Sequence, residues 1–208
     1  MNWKLIIKNP AKQPTTGIYS DWKEQIAEEC FYQCVYCSIN ETQFGGIDHY
    51  HIEHYKPKSF ARFQHLENNI LNLFYACPIC NRFKSDDWPN DAYSLNICCY
   101  PDPSIYDYST LFTLDTKTYK LAGNYISSSY ITQRLFLNRA QLIYERREQL
   151  LNERALAVRK DLEKLGKLDL ILADKQSILN LIDAFSKLSD ITEKRKKIRP
   201  YKLKEIRR

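Results

Sequence analysis

The sequence has little glycine, no long apolar run and no internal repeat, and each shortage excludes a class of protein. Only five of the 208 residues are glycine and there is no low-complexity segment, which argues against intrinsic disorder. No run of 18 apolar residues occurs, so the sequence offers no membrane-spanning helix. The apolar stretch near the N-terminus covers only residues 5–7, which is too short for a signal peptide. These shortages predict a folded cytoplasmic protein with no membrane partner.

Four of the seven cysteines form two CxxC pairs, Cys34 with Cys37 and Cys77 with Cys80. The cytosol keeps thiols reduced, so this pattern does not indicate a disulfide framework. Each pair can present two thiolates from a tight turn, and two pairs complete a closed tetrahedral site for structural zinc. The three other cysteines form no such pair and are predicted to be small buried residues, with the first as the less favoured alternative ligand: Cys30, Cys98 and Cys99.

The segment between the cysteine pairs contains the residue types that phosphodiester hydrolysis needs. Residues 51–59 read HIEHYKPKS, and Asn81 follows Cys80 directly. A neutral imidazole titrates near neutral pH and suits a general base. A carboxylate and an amide oxygen suit a hard cation such as Mg²⁺. A zinc ion that fixes Cys80 would also fix Asn81 beside it.

The pattern of residues 34–90 predicts two strands followed by a helix. Residues 47–54 alternate loosely and predict the first strand, and residues 71–76 predict the second. Residues 81–84 lie where a helix is expected to begin. This order is that of a ββα unit.

Residues 34–84 resemble the core of HNH nucleases of the zinc-knuckle type. The matching motifs are CxxC, an acid–His pair with a downstream proline, Asn-Leu, then CxxCN and a lysine. The resemblance implies that His54 is the general base and that Glu53 and Asn81 bind a catalytic Mg²⁺ or Mn²⁺. It also implies that Asn72 orients the base by hydrogen bonding to the loop between the strands. Many members carry Asp where this chain has Glu53, so the carboxylate here has a longer arm.

Four basic side chains near this segment are candidate nucleic-acid contacts: Lys56, Lys58, Arg82 and Lys84. The alternative interpretation is a solvated loop and helix face. His51 lies three residues before His54 and would face the other side of a strand, so it is predicted to be a surface or supporting residue.

Residues 51–59 also resemble the IEH-x-x-PKS motif of a narrower bacterial family. Its members are HNH proteins that accompany an ATPase in Septu-type and retron-associated antiphage defence systems. Asn96 with residues 101–103, and the LxLNR segment at residues 135–139, resemble further short elements of that family. The resemblance implies an ATPase partner, and we expect DNA as the substrate.

Positive charge is concentrated in the last third of the chain. Residues 134–208 carry twenty Lys and Arg against eleven Asp and Glu, which suggests an anionic partner or a solvated helical surface. Leucines at helical intervals predict one helix from about residue 132 and a second over residues 168–188. Residues 194–208 form a basic tail. Earlier in the chain, Asp21 is predicted to cap a helix.

We therefore expect an α+β protein with two parts. Residues 1–130 would form an HNH nuclease domain, with a zinc-braced ββα-metal core at residues 30–90. Residues 131–208 would form a helical region with the basic tail.

Two alternatives to a DNA endonuclease stay open. One is a zinc-stabilised subunit that binds nucleic acid or docks a partner without its own catalysis. It explains the cysteines and the basic tail but gives no reason for the positions of Glu53, His54 and Asn81. The other is an HNH nuclease that acts on RNA, because metal-assisted phosphodiester chemistry is common to both nucleic acids.

Overall fold

The computed structural model describes residues 3–165 and 175–196. The chain forms two compact units, Met1–Arg139 and Ala140–Arg208. Helices combine with two small antiparallel sheets, which confirms the α+β prediction. None of the described helices is both long enough and apolar enough to cross a membrane.

The first unit contains three α-helices and two hairpin-like strand pairs among its described residues. In chain order these are α1 Lys23–Glu29, β1 His51–His54, β2 Leu73–Ala76, α2 Pro78–Lys84, β3 Phe112–Leu114, β4 Leu121–Gly123 and α3 Ile126–Arg134. Short 3-10 helices lie between them at Pro10–Lys12, Tyr19–Trp22, Glu41–Phe44, Ile47–His49, Ala61–Leu66, Ile70–Asn72 and Tyr108–Thr110. The second unit contains α4 Ala140–Leu165 and α5 Lys175–Lys196, which pack against each other.

The ββα order expected for the nuclease core is present. β1 pairs antiparallel with β2, with His51 opposite Ala76 and His54 opposite Leu73. Helix α2 follows β2 after one residue, Cys77, which is its N-cap and whose sulfur accepts a hydrogen bond from the Cys80 amide. A proline occupies the first helical position, where the missing N–H costs nothing. The cysteine pair thus sits at the N-terminal end of α2.

Strand β2 lies at the centre of the core of the first unit. All four of its residues are buried, and Phe74 and Tyr75 are among the largest fully enclosed side chains. Helix α1 packs against this strand and buries Ile26 and Ala27 completely. Full burial of a side chain such as Phe or Ile stabilises a fold by about 1.5–3 kcal/mol. The short strand is therefore held firmly beneath the candidate site.

Several predicted boundaries in the first unit were wrong. The first strand is shorter than predicted, because residues 47–49 form a 3-10 helix after Gly46, whose φ is 87°. Helix α2 begins at Pro78 rather than near residue 81. Asp21 does not cap an α-helix: it lies inside a 3-10 helix, and its carboxylate accepts a hydrogen bond from the Ile18 amide. Tight turns and short helices of this kind leave no apolar period in the sequence.

The second hairpin and the helices after it also differ from expectation. The sequence predicts short strands at residues 111–114 and 118–121, and β4 begins at Leu121, where the second of these predicted strands ends. Its Gly123 is needed because a Cβ there would meet the Ser129 backbone nitrogen at 2.3 Å. The helix predicted from residue 132 is interrupted after Arg134, where Phe136 adopts a left-handed conformation with φ 48°. Within the described residues, the helix predicted over 168–188 begins at Lys175. Residues 166–174 and 197–208 lie outside the described residues, and they include most of the basic tail.

Candidate active site and cysteine cluster

The four cysteines of the CxxC pairs converge on one point. Their sulfur atoms all lie within 4.8 Å of one another, and all four residues are buried. The sulfurs of Cys37 and Cys77 are 3.7 Å apart. Zinc–sulfur bonds of about 2.3 Å in a tetrahedron place neighbouring sulfurs about 3.8 Å apart. The cluster therefore has the composition and dimensions of a structural zinc site, and the residues present fit the ion.

Backbone hydrogen bonds explain why the two pairs meet. The first pair is bound to the sheet, because the Val35 amide donates to the Tyr75 carbonyl of β2 at 2.9 Å. Its turn closes through the Ser38 amide, which donates to the Cys34 carbonyl at 2.8 Å. The second pair occupies the N-cap and first turn of α2, immediately after the same strand. β2 thus positions both pairs.

The remaining cysteines do not join the cluster. Burial raises the pKa of Cys30 to about 11, so its thiol stays protonated and serves as a small core group. Cys99 is buried as predicted, whereas Cys98 is exposed, contrary to expectation. Cys98 lies in a loop that leaves its side chain in solvent, which composition alone does not reveal.

A cation from outside the CxxC pairs lies against the sulfurs. The Arg139 guanidinium donates to the sulfurs of Cys80 and Cys77 at 3.7 and 3.8 Å. It reaches the Cys37 sulfur at 3.9 Å. Burial opposes the charge of Arg139, but the neighbouring cysteines raise its pKa above the ordinary value. From the sequence, Asn138 and Arg139 are predicted to serve a structural junction or a buried polar network rather than chemistry.

Glu53 faces the core and is neutralised by Lys84. The Lys84 ammonium lies 2.6 Å from Glu53 Oε1, and the Tyr36 hydroxyl donates to the same oxygen at 3.3 Å. Both charged side chains are almost wholly enclosed, with exposures of 0% for Lys84 and 4% for Glu53. Burial raises the pKa of Glu53, and the ammonium opposes that rise.

Lys84 therefore differs from both interpretations that the sequence allowed. Its ammonium also donates to the His54 carbonyl at 3.1 Å and lies over the Tyr100 ring. A side chain without solvent exposure neither forms a solvated helix face nor presents its charge to a phosphate in this arrangement. Lys84 instead holds α2 against the strand that carries the acid–His pair.

His54 projects away from this buried pair, as neighbouring residues of a strand do. Its Nε2 is 3.0 Å from the Glu67 carbonyl, and the Tyr19 ring meets the imidazole edge-on with centroids 4.7 Å apart. Lys58 lies close by, bonded to Glu67 at 2.7 Å and to the Tyr19 hydroxyl at 2.9 Å. Burial lowers the pKa of His54 from 6.5; the hydrogen bond to the Glu67 carbonyl opposes this shift, and the nearby lysines add to it. The imidazole is thereby kept neutral at physiological pH.

Asn72 joins the two ends of the loop between the strands. Its Oδ1 accepts from the Lys56 amide at 2.8 Å, and its Nδ2 donates to the Lys56 carbonyl at 3.1 Å. The same Nδ2 donates to the Leu66 carbonyl at 3.3 Å. These bonds fix the chain just after His54 and just before Glu67. They therefore support the 3.0 Å contact between His54 Nε2 and the Glu67 carbonyl.

The other predicted site residues lie nearer the surface. Asn81 is half-buried on α2, one turn before Lys84, and Arg82 is exposed. Lys56 is half-buried with its ammonium over the Phe63 ring. His51 is exposed at the start of β1, as expected for a surface residue. Among the described residues, no other group of three His, Cys, Asp or Glu side chains has metal-site geometry.

Sequence reasoning did not single out three residues that shape the site: Tyr19, Tyr36 and Glu67, the last through its backbone carbonyl. Tyr36 is the second residue between the two cysteines of the first pair, so its place next to the zinc ligands was visible, but its contact with Glu53 was not. Tyr19 begins one 3-10 helix and Glu67 follows another, and neither residue lies in a recognisable sequence motif.

One comparison with known proteins agrees with this geometry. No curated protein and no solved structure matches the chain significantly. A family model described as HNH endonuclease matches residues 34–87. That stretch begins at the first zinc-ligand cysteine and includes both strands of the ββα unit, the acid–His pair and all of α2. The match therefore supports nuclease activity, with residues 34–87 as the part of the chain that is similar to HNH endonucleases.

Proposed function

We propose that the protein is a metal-dependent endonuclease that hydrolyses DNA, with His54 as the general base. The observation that carries this proposal is the environment of His54. Its imidazole is held by the Glu67 carbonyl and the Tyr19 ring, and its pKa is lowered by burial. A base of this kind is ready to accept a proton at neutral pH.

The hydrogen bond of His54 assigns a role to each ring nitrogen. A carbonyl oxygen only accepts, so Nε2 carries the hydrogen in the neutral ring. The lone pair then lies on Nδ1, which takes the proton from the attacking water. Asn72 supports this tautomer because it fixes the loop that delivers the Glu67 carbonyl.

We propose that Glu53 and Asn81 hold a catalytic Mg²⁺ or Mn²⁺. Their carboxylate and amide oxygens are the donors that such cations prefer. A bound cation would stabilise negative charge on the phosphate and on the departing 3′ oxygen. Because Lys84 neutralises Glu53, a cation at that carboxylate has to share it with the ammonium. The remaining ligands would come from water and the substrate phosphate.

Three basic side chains are proposed to contact the nucleic-acid backbone: Lys56, Lys58 and Arg82. Each is at least partly exposed, whereas Lys84 is not. Lys58 lies close to the base, since it bonds to the same Tyr19 and Glu67 that hold His54. A phosphate bound there would place its phosphorus beside the imidazole.

The decisive experiment uses the full chain with plasmid DNA, single-stranded DNA and RNA, each with Mg²⁺, with Mn²⁺ and with neither cation. Nicking of plasmid that needs a divalent cation supports the DNA endonuclease. Cleavage of RNA alone would favour the RNA nuclease. Binding of DNA without cleavage under every condition would favour the non-catalytic subunit.

We also propose that the protein acts in the cytoplasm with an ATPase partner in antiphage defence. The support is the resemblance of residues 51–59 and the apolar face of α5, where Ile178, Ile182 and Phe185 are exposed at helical spacing. Free thiols suit a reducing compartment.

Deletion of residues 194–208 tests the tail. If the tail grips phosphates, the log–log salt dependence of DNA binding should flatten by nearly one unit per lost contact. If it docks the ATPase, only co-purification should fail.

A further inference from the structure

The arginine at the end of the first unit contacts three of the four sulfurs in the cysteine cluster. One terminal nitrogen of Arg139, Nη2, lies 3.7 to 3.9 Å from the sulfurs of Cys80, Cys77 and Cys37. The other, Nη1, lies 3.7 Å from the Cys80 sulfur. Both arms of the guanidinium therefore point at the cluster, and Arg139 lies outside the stretch that matches the HNH family model.

The segment that carries this arginine is held rigidly. Leu135 and Leu137 are fully buried, with exposures of 0%. Asn138 bonds to both the amide and the carbonyl of Leu121 in β4, at 2.7 and 2.9 Å. The guanidinium itself donates to the Leu135 carbonyl at 3.3 Å. In the LxLNR segment, the two leucines are buried in the core and Asn138 binds β4. Arg139 contacts the sulfurs of the cysteine cluster.

Charge explains why a cation belongs at this place. Four thiolates around one Zn²⁺ carry a net charge of about −2 in a site that excludes water. A buried charge needs a partner, and a guanidinium supplies a positive charge with several N–H donors in a fixed fork. Hydrogen bonds from outside the ligand shell fix ligand orientation and tune the bound metal. Arg139 has the charge, the donors and the position for this role.

We propose that Arg139 is a positioning residue of the zinc site, whose guanidinium fork binds the thiolates of Cys37, Cys77 and Cys80 and strengthens their hold on the ion. The proposal rests on occupation of the cluster by zinc. It also makes the LxLNR segment part of the zinc site, so that the end of the first unit is tied to the nuclease core through the sulfurs.

Zinc affinity of the purified full chain tests the proposal without any measurement of nuclease activity. Competition with a chromophoric chelator gives the dissociation constant of zinc. Loss of such an outer contact typically weakens metal binding about 10- to 100-fold, and this range is expected for Arg139→Met. Arg139→Lys keeps the charge but not the fork, and a loss of at least about tenfold is expected. The matched control is Arg134→Met, which removes an arginine paired with Asp87 instead of sulfur and should bind zinc as the wild type does.

The outcomes separate the two claims. If the wild type binds no zinc, the metal site itself is wrong. If the wild type binds zinc and folded Arg139→Met binds it equally well, the role of Arg139 is wrong. Should Arg139→Met fail to fold, as judged by circular dichroism, Arg139→Lys decides, and wild-type affinity in that variant overturns the proposal.

Discussion

The cysteine cluster and the acid–His strand lie at opposite ends of the same short helix and differ in how they use charge. At the N-terminal end of α2, Cys77 and Cys80 contribute to a closed set of four equal donors. At the C-terminal end, Lys84 reaches across to Glu53 on β1. The first site has no open ligand position, whereas the second places a partly exposed imidazole beside a buried ion pair.

Both sites contain a buried negative group and a cation supplied from a different part of the chain. Arg139 lies against the thiolates, and Lys84 lies against the carboxylate of Glu53. The consequence of losing the cation should differ. Thiolates that bind zinc would retain the ion as their main counter-charge, whereas among the described residues Glu53 is paired with Lys84 and the Tyr36 hydroxyl. Loss of Arg139 should therefore weaken zinc binding, whereas loss of Lys84 should leave a buried carboxylate without its cation and destabilise the fold.

Removal of a zinc ligand should have the largest effect. Cys80→Ser is expected to abolish zinc binding and unfold the first unit, because binding of structural zinc contributes on the order of 10–16 kcal/mol in small domains. Elemental analysis and circular dichroism measure the two losses. The matched control is Cys98→Ser, which alters an exposed cysteine outside the cluster and should keep both zinc and fold. A well-folded Cys80→Ser protein without zinc would contradict the structural role.

Removal of the proposed base should abolish catalysis and spare the fold. His54→Ala is expected to lower the cleavage rate by about 10²- to 10⁴-fold, the usual contribution of a general base, with zinc content unchanged. The matched control is His51→Ala, on the same strand but exposed, which should cut at a rate near that of the wild type. Equal loss in both variants would show that His54 has no special role.

The pH profile gives an independent test of the same residue. A protonated imidazole cannot accept a proton, so the rate should fall as pH drops through the pKa of His54. Since burial lowers that pKa, the midpoint of the acid limb should lie below 6.5. A midpoint clearly above 6.5 in a profile of kcat/KM would mean that another group controls the rate.

Breaking the buried ion pair should reduce stability. Lys84→Met leaves Glu53 enclosed without its cation, and removal of one partner of a buried pair typically costs about 3–5 kcal/mol. Urea denaturation measures this change in the free energy of unfolding. The double variant Glu53→Gln with Lys84→Met removes both charges and should recover much of the loss. No recovery would indicate that the two side chains do not stabilise each other.

The smallest effect is expected at Asn81. Asn81→Ala should weaken binding of the catalytic cation while zinc and fold persist, so the rate should fall less at saturating Mn²⁺ than at low Mn²⁺. His54→Ala should show no such rescue, because added cation does not replace a proton acceptor. A titration of both variants with Mn²⁺ compares them directly, and equal rescue would show that the two roles are exchanged or shared.

The sequence by itself determined the local features of this protein. Two CxxC pairs predicted a four-sulfur site, because each spacing brings two thiolates to one turn, and the structure places all four together. The order of strand, strand and helix was also predicted from the apolar patterns, although α2 begins at Pro78 rather than near residue 81. The HNH resemblance predicted that Asn72 bonds to the loop between the strands and orients the base; Asn72 makes three hydrogen bonds to Lys56 and Leu66, and its role toward the base stays a prediction.

Only the tertiary structure decided which charges are buried and what neutralises them. Lys84 contacts the acid–His pair from 30 residues away, and Arg139 contacts Cys80 from 59 residues away. Nothing in a lysine or an arginine on a helix or loop distinguishes a solvated side chain from an enclosed one, because burial depends on what packs around it. Residues 47–49 illustrate the same limit on a smaller scale, where a glycine with positive φ replaces the predicted strand by a turn of 3-10 helix. Chain spacing fixes which groups can meet within a turn, and long-range packing fixes which charges lose water and must find a partner.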